Sequence, residues 1–69
     1  MHREDIKAAL RKQGWTLTAC AKELGVEQST ISGILLGRRS KRIELWISRK
    51  ISRHPWEVFP DRYSEEDAA

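Results

Sequence analysis

The segment from Thr16 to Gly37 constrains the fold more than any other part of the chain, because its small and apolar residues recur at the spacing of a helix-turn-helix. Ala21 falls where two such helices cross most closely, so a larger side chain there would push them apart. Gly25 predicts the turn between them, since only glycine adopts a left-handed backbone without steric cost. The apolar positions expected to share one core are Cys20, Leu24, Val26, Ile31 and Ile34.

Periodic apolar residues and capping residues predict an all-α fold, a compact bundle of four to five short helices that contains this unit. The first helix is expected over Arg3–Gln13 and is closed by the glycine that follows. Thr16 is expected to cap the second helix through a hydroxyl that accepts from a free backbone N–H, and this helix ends at Leu24. The third helix begins at or just after Glu27 and stops at Gly37.

The second half of the chain predicts a fourth helix and a short helical turn. Ser40 is expected to cap the fourth helix, whose apolar face is formed by Ile43, Trp46, Ile47 and Ile51. Pro55 starts the helical turn, which the next proline prevents from continuing. Tyr63 is the last expected core residue, so residues 1–63 predict one domain. Residues 64–69 are acidic and lack apolar anchors, and we expect them to be disordered.

Positive charge is concentrated just after the third expected helix. The chain has a formal net charge of +3, but residues 37–53 hold seven cations against the single anion Glu44. Cations at the start of a helix are unfavourable for folding, because they oppose the helix dipole and repel one another. A nearby polyanion would offset this electrostatic cost. Phosphate contact is therefore expected for Arg38, Arg39, Lys41 and Arg42, with a solvated loop as the alternative. The later cations Arg49, Lys50 and Arg53 are more typical of a solvated helix face.

Several classes of protein and site receive no support from the sequence. Cys20, the single cysteine, cannot form an internal disulfide and falls on a core face, which predicts an inert thiol. His2 and His54 are far apart and lack clustered carboxylates, so we expect neither a metal site nor a cofactor. No apolar run has the length of a signal peptide or a membrane span, and no group of residues suggests catalysis. We therefore expect a non-enzymatic cytoplasmic protein.

The third helix is the one that a helix-turn-helix places in the major groove of DNA. Ile31, Ile34 and Leu35 face inward, which leaves a polar side for the groove. Four residues of that side are expected to contact bases: Gln28, Ser29, Ser32 and Gly33. Gln28 can offer a paired donor and acceptor to adenine. The residues expected to contact phosphates are Thr16, Thr18, Thr30, Arg38, Arg39, Lys41 and Arg42.

Two residues of this helix leave alternatives open. For Glu27, the sequence favours a role at the start of the helix, where its carboxylate offsets the helix dipole. The alternative is a hydrogen bond to cytosine. Gly33 lies inside the helix, where glycine costs about 1 kcal/mol relative to alanine. Gly33 either allows a close approach to DNA or is merely tolerated in helix packing.

Three tryptophans interleaved with cations raise the hypothesis of stacking on single-stranded nucleic acid. Their spacing favours core roles instead, because Trp46 lies on the apolar stripe of the fourth helix and Trp15 can cover the end of the first. Trp56 stands beside Pro55 in a turn. It is the tryptophan that we expect to be partly exposed and to form a dimer contact.

Both halves of the chain resemble the Ner-like family of small DNA-binding regulators from transposable phages, within the lambda-repressor-like helix-turn-helix domains. The resemblance runs from Arg3 to Tyr63 and includes the opening REDIKAALRKQGWTL and the closing HPWEVFPDRY. It implies a five-helix bundle and negative regulation of early phage transcription, including transposition functions. The chain departs from the pattern at Leu17, where many lambda-repressor-like domains have glutamine, and at GRRSKR, where a tryptophan-proline pair is expected.

These observations predict a sequence-specific regulator that binds double-stranded DNA in a bacterial host, at the nucleoid, and represses by occupying promoters. Two copies are expected on half-sites about one helical turn apart, as a homodimer formed before or on DNA. No small-molecule effector is expected. Two alternatives stay open: a DNA-binding antitoxin or excision-type accessory factor, and, given Leu17, a protein-interaction domain that has lost DNA binding.

Overall fold

Five helices make up the described part of the chain, residues 1–64 of a computed structural model, which contains no strand. They are α1 (Arg3–Lys12), α2 (Leu17–Leu24), α3 (Gln28–Leu36), α4 (Lys41–Lys50) and α5 (Pro55–Val58). The expected all-α bundle with a helix-turn-helix is confirmed. The tail expected at residues 64–69 lies outside the described residues, apart from Ser64.

Local capping sets the bounds of the first three helices. The ψ angle of Gln13 is 7°, which lies outside the helical range, so α1 ends one residue earlier than expected. Thr16 Oγ1 accepts from the N–H of Ala19 at 3.1 Å and caps α2 as expected. Gly25 has a φ of +70° and a ψ of +31°, the left-handed conformation that turns the chain from α2 into α3.

The start of α4 differs from the expectation. Ser40 holds the capping position, but its side chain makes no capping hydrogen bond. Its N–H instead donates to Glu44 Oε2, which lies one turn into the helix, at 3.2 Å. A carboxylate in the first turn also offsets the positive end of the helix dipole. Glu44 therefore joins the backbone of the capping residue to the first turn of α4, and the serine hydroxyl does not act as the cap.

The core lies where all five helices meet, and it contains four of the five residues expected between α2 and α3. Val26 is the exception, since it is only half-buried at the edge. Burial raises the pKa of the Cys20 thiol, as expected for an inert cysteine. The buried apolar residues are Ile6, Leu10, Cys20, Ala21, Leu24, Ile31, Ile34, Ile43, Ile47, Ile51, Val58 and Phe59.

A buried carboxylate, Glu44, joins the C-terminal segment to this core. Its side chain is 0% exposed, and its two oxygens accept from Arg62 Nη1 and from the Tyr63 hydroxyl, each at 2.8 Å. Arg62 also donates through Nη2 to the carbonyl of Ile34 at 2.8 Å, and its guanidinium lies 4.8 Å from the centre of the Phe59 ring. In the sequence, Glu44 is a single anion within a basic stretch. In the structure, it is the shared acceptor of a network of hydrogen bonds from Ser40, Arg62 and Tyr63.

Tyr63 is expected to make the stability of the protein depend on pH in the alkaline range. Burial, followed by its hydrogen bond to Glu44, raises its pKa from the ordinary 10.0 to about 12. Because the folded-state pKa is the higher one, the contribution of Tyr63 to stability is complete below pH 10 and is lost as the pH rises towards 12.

Titration of phenolate absorbance measures this pKa directly, because Tyr63 is the single tyrosine. We expect a midpoint near pH 12 in the folded protein. Alkaline denaturant titrations of Tyr63→Phe provide the control, since this variant lacks the titrating group and should lose less stability across the same pH range. A wild-type midpoint at the ordinary value would contradict the proposed contact.

Candidate nucleic-acid interface

Helix α3 turns a polar side to solvent. Ile31 and Ile34 are 0% exposed and Leu35 is half-buried, so the inward side is the one expected from the sequence. The opposite side carries the four residues expected to contact bases, of which two are exposed and two are half-buried: Gln28 and Ser29, then Ser32 and Gly33. The geometry thus gathers these four on one accessible side of one helix.

Two further residues define the ends of this side. Glu27 stands at the capping position of α3 and is exposed, but its side chain makes no capping hydrogen bond, so only its charge can act on the helix dipole. Leu36 closes the other end and is 68% exposed, the one large apolar side chain so exposed among residues 1–64. Sequence reasoning missed Leu36, although its spacing of seven from Ser29 places it on the same side.

A cleft of about 210 Å³ opens at the N-terminal end of α3. It brings together three residues expected at the DNA, Thr16, Thr18 and Gln28, and adds two cations from α1, Lys7 and Arg11. Sequence reasoning missed these cations, although a spacing of four puts both on one side of α1. The remaining lining residues are Trp15 and Leu17. We refer to this site as the α1–α3 cleft.

The four cations that follow α3 have different surroundings. Arg42 donates through Nη2 to the carbonyl of Leu24 at 2.8 Å, and so satisfies the C-terminal end of α2. Arg39 Nε lies 3.8 Å from Glu44 Oε2, while its side chain stays 66% exposed. Folding therefore accounts for the position of Arg42 and for part of that of Arg39. Thr30, also expected at phosphate, is half-buried.

The tryptophans take the positions expected from their spacing. Trp15 and Trp46 pack edge to face with ring centres 5.0 Å apart, and Lys50 Nζ lies 5.1 and 5.5 Å from the two rings. Trp56 is half-buried and stacks on His54 at 4.2 Å. A groove of about 450 Å³ runs past Trp56 and is lined by Arg39, Lys41, Leu45, Pro55, Trp56, Arg62, Tyr63 and Ser64.

Comparison with known proteins gives consistent matches. The sequence model of a family described as winged helix-turn-helix DNA-binding matches residues 1–69. Sugar fermentation stimulation protein B of Escherichia coli (strain K12) is 33% identical over 64 residues, which cover 93% of this chain and 68% of that protein. The Mu-like prophage FluMu DNA-binding protein Ner of Haemophilus influenzae is 32% identical over 66 residues, or 96% of this chain and 73% of that protein. No solved structure matches the chain.

None of the helices described here has the length and apolar character needed to span a membrane.

Proposed function

Because this chain belongs to the winged helix-turn-helix DNA-binding family and is Ner-like, we propose that it is a sequence-specific repressor that occupies promoter DNA. The proposed targets are early and transposition genes of a phage or prophage. The observation that carries the proposal is the exposed polar side of α3 with cations beyond both of its ends.

The dimensions of α3 support this role. An α-helix with its side chains is about 10–12 Å across, which fits the width of about 12 Å of the major groove, and the nine residues of α3 run for about 14 Å. Lys7 and Arg11 lie at the cleft beside its first turn, and Arg39 and Lys41 follow its last turn. Cations beyond both ends of a helix in the groove can reach the two phosphate backbones that border it.

Each residue at this interface has a proposed role. Gln28, Ser29 and Ser32 read base edges, because amide and hydroxyl groups supply the donors and acceptors that distinguish base pairs. The remaining groups position the protein on the backbone without reading sequence. The proposed phosphate contacts are Lys7, Arg11, Thr16, Thr18, Thr30, Arg39 and Lys41.

Two copies are proposed to bind neighbouring half-sites about one helical turn apart, as helix-turn-helix proteins commonly do. In this arrangement, repression depends on the concentration of the protein and on its affinity for the operator. Trp56 and its apolar neighbours in the groove, Leu45 and Pro55, are the proposed contact between the copies, since a half-buried aromatic ring offers a large apolar area.

Replacing Gln28 with alanine is expected to relax the base preference at one A·T pair by about 1–3 kcal/mol. Selection from a random duplex library first identifies the preferred site, and binding to all single-base variants of that site then measures the preference. The salt dependence should not change, because glutamine carries no charge.

The matched control is Gln13→Ala, since Gln13 is the other glutamine and is exposed at the end of α1. It should leave every preference intact. If Gln28→Ala weakened all duplexes equally, Gln28 would not be a base-reading residue. If the wild-type protein bound no duplex even at low salt, the proposed function itself would be refuted.

A further inference from the structure

We propose that Arg38 reads a guanine in the major groove, and that Gly33 gives the arginine side chain room to lie along α3. This inference rests on the proposed function, since both residues need α3 in the groove. It differs from the sequence expectation, which assigned Arg38 to phosphate and Gly33 to direct contact with bases.

The end of α3 folds the chain back towards Gly33. Gly37 has a φ of +134° and donates its N–H to the carbonyl of Ile34 at 3.2 Å. The N–H of Arg38 donates to the carbonyl of Gly33 at 2.9 Å. These two bonds hold the backbone of Arg38 against the last turn of the helix, instead of in an extended loop.

The side chain of Arg38 continues along the same path. A Cβ atom placed on Gly33 would lie 3.7 Å from Arg38 Nε and 3.8 Å from its Cδ and Cζ. These are ordinary van der Waals separations, so the guanidinium end of the arginine covers the face of α3 that Gly33 leaves bare. The side chain of Arg38 therefore lies in the space beside the helix that the absence of a side chain at Gly33 leaves open.

Arg38 is also the arginine of this cluster whose donors are free. Arg38 is exposed, and its guanidinium makes no hydrogen bond or ion pair with any residue of the described part of the chain, whereas Arg39 lies near Glu44 and Arg42 donates to Leu24. A guanidinium offers five N–H donors in a planar fork. In Arg38 this fork lies beside Gly33 and is unoccupied within the described residues.

The position of the fork favours a base over a phosphate. Gly33 follows Ser32 directly and lies four residues after Ser29, so all three share the side of α3 assigned to base edges. A guanidinium beside Gly33 is thus carried into the groove with the helix. The two-pronged contact of arginine with O6 and N7 of guanine is the commonest specific contact between proteins and DNA.

The test uses the preferred site from the duplex selection, with each guanine replaced in turn by 7-deazaguanine, which lacks the N7 acceptor. We expect one replacement to lower wild-type affinity by about 5- to 150-fold. Arg38→Lys keeps the charge but loses the planar fork, so this variant should no longer respond to that replacement. Its salt dependence should match that of the wild type.

Variants of Gly33 test the second half of the inference. Gly33→Leu fills the space of the arginine side chain and should abolish the preference for the same guanine. Gly33→Ala is the matched control, because its methyl group makes only ordinary contacts with Arg38 and should keep that preference. Alanine and leucine both have a higher helix propensity than glycine. Thermal unfolding should therefore show that both Gly33 variants are folded and at least as stable as the wild type.

One pattern overturns the inference while leaving the proposed function intact. In that pattern Arg38→Lys binds every duplex as the wild type does, and Arg38→Ala weakens all duplexes alike and flattens the salt dependence by about 0.9, as expected for a phosphate contact. Retention of the guanine preference by Gly33→Leu would overturn the role given to Gly33. Failure of the wild type to bind any duplex would refute the inference and the proposed function together.

Discussion

Replacing Glu44 with alanine is expected to lower the free energy of unfolding by about 3–5 kcal/mol, because it removes the buried counter-charge of a buried guanidinium and leaves only the exposed carboxylate of Asp61, 3.6 Å from Arg62 Nε. The side chain of Arg62 is only 5% exposed and would keep a single strong acceptor, the carbonyl of Ile34. Tyr63 and the N–H of Ser40 would lose their acceptor in the same step. The loss affects three residues in two segments of the chain, which is why the expected effect is large.

Denaturant unfolding followed by tryptophan fluorescence measures this loss. Ser48→Ala is the matched control, because Ser48 is also buried on α4 and its hydroxyl donates only to the carbonyl of Glu44. We expect this control to cost about 1 kcal/mol. A similarly small effect of Glu44→Ala would show that the network contributes little to stability.

A double variant keeps this prediction testable if Glu44→Ala does not fold, since a chain of 69 residues has little stability to lose. Replacing both charges, as in Glu44→Leu with Arg62→Met, removes the unpaired buried group. The double variant should therefore be more stable than Arg62→Met alone. If it were the less stable of the two, the cost would arise from lost packing and not from an unpaired charge.

The second large effect is expected in DNA binding. Replacing Arg39 and Lys41 together with alanine should weaken binding to every duplex by about 30-fold at physiological salt, because each lost phosphate contact removes about 0.9 from the slope of log affinity against log salt. The total slope should fall by about 1.8. The side chain of Arg39 is 66% exposed, so its loss should have little effect on stability.

Binding isotherms over a range of salt concentrations, with preferred and random duplexes, measure both quantities. The matched control removes the same number of positive charges from the last turn of α4 and the turn that follows it, as in Arg49→Ala with Arg53→Ala. The control should change the slope much less. Equal slopes for the two double variants would show that the cations after α3 act through net charge alone.

Local signals in the sequence predicted the elements of the fold well. Thr16 and Gly25 act on the backbone of their own neighbours, so their roles can be read without knowing the rest of the structure. The same holds for the polar side of α3, which follows from helical periodicity once the core side is known. These signals positioned the helix-turn-helix and the residues expected to contact bases.

Contacts between distant residues could not be predicted in this way. Glu44 and Arg62 are 18 residues apart, and nothing in their local sequence shows that both are buried. The closing segment HPWEVFPDRY did carry a signal, since its arginine and tyrosine belong to the resemblance to the Ner-like family. A resemblance identifies such residues but does not say what they contact.

The cations after α3 illustrate the same limit. In the sequence they form one basic run, but in the structure Arg42 reaches Leu24, Arg39 lies near Glu44, and Arg38 lies along Gly33. The partners of a long charged side chain depend on which helix end or carboxylate the fold brings within reach. Charge alone therefore predicted a DNA-facing cluster but not the division of roles within it.

In each helix of the helix-turn-helix, a backbone carbonyl near the C-terminal end accepts a hydrogen bond from the guanidinium of an arginine outside the motif. Arg42 donates to the carbonyl of Leu24 at the end of α2, and Arg62 donates to the carbonyl of Ile34 in the last turn of α3. The motif is consequently not a portable module. Residues 16–37 grafted onto another scaffold would lose both arginines, and the host would have to provide equivalent donors to keep the reading helix at its native angle.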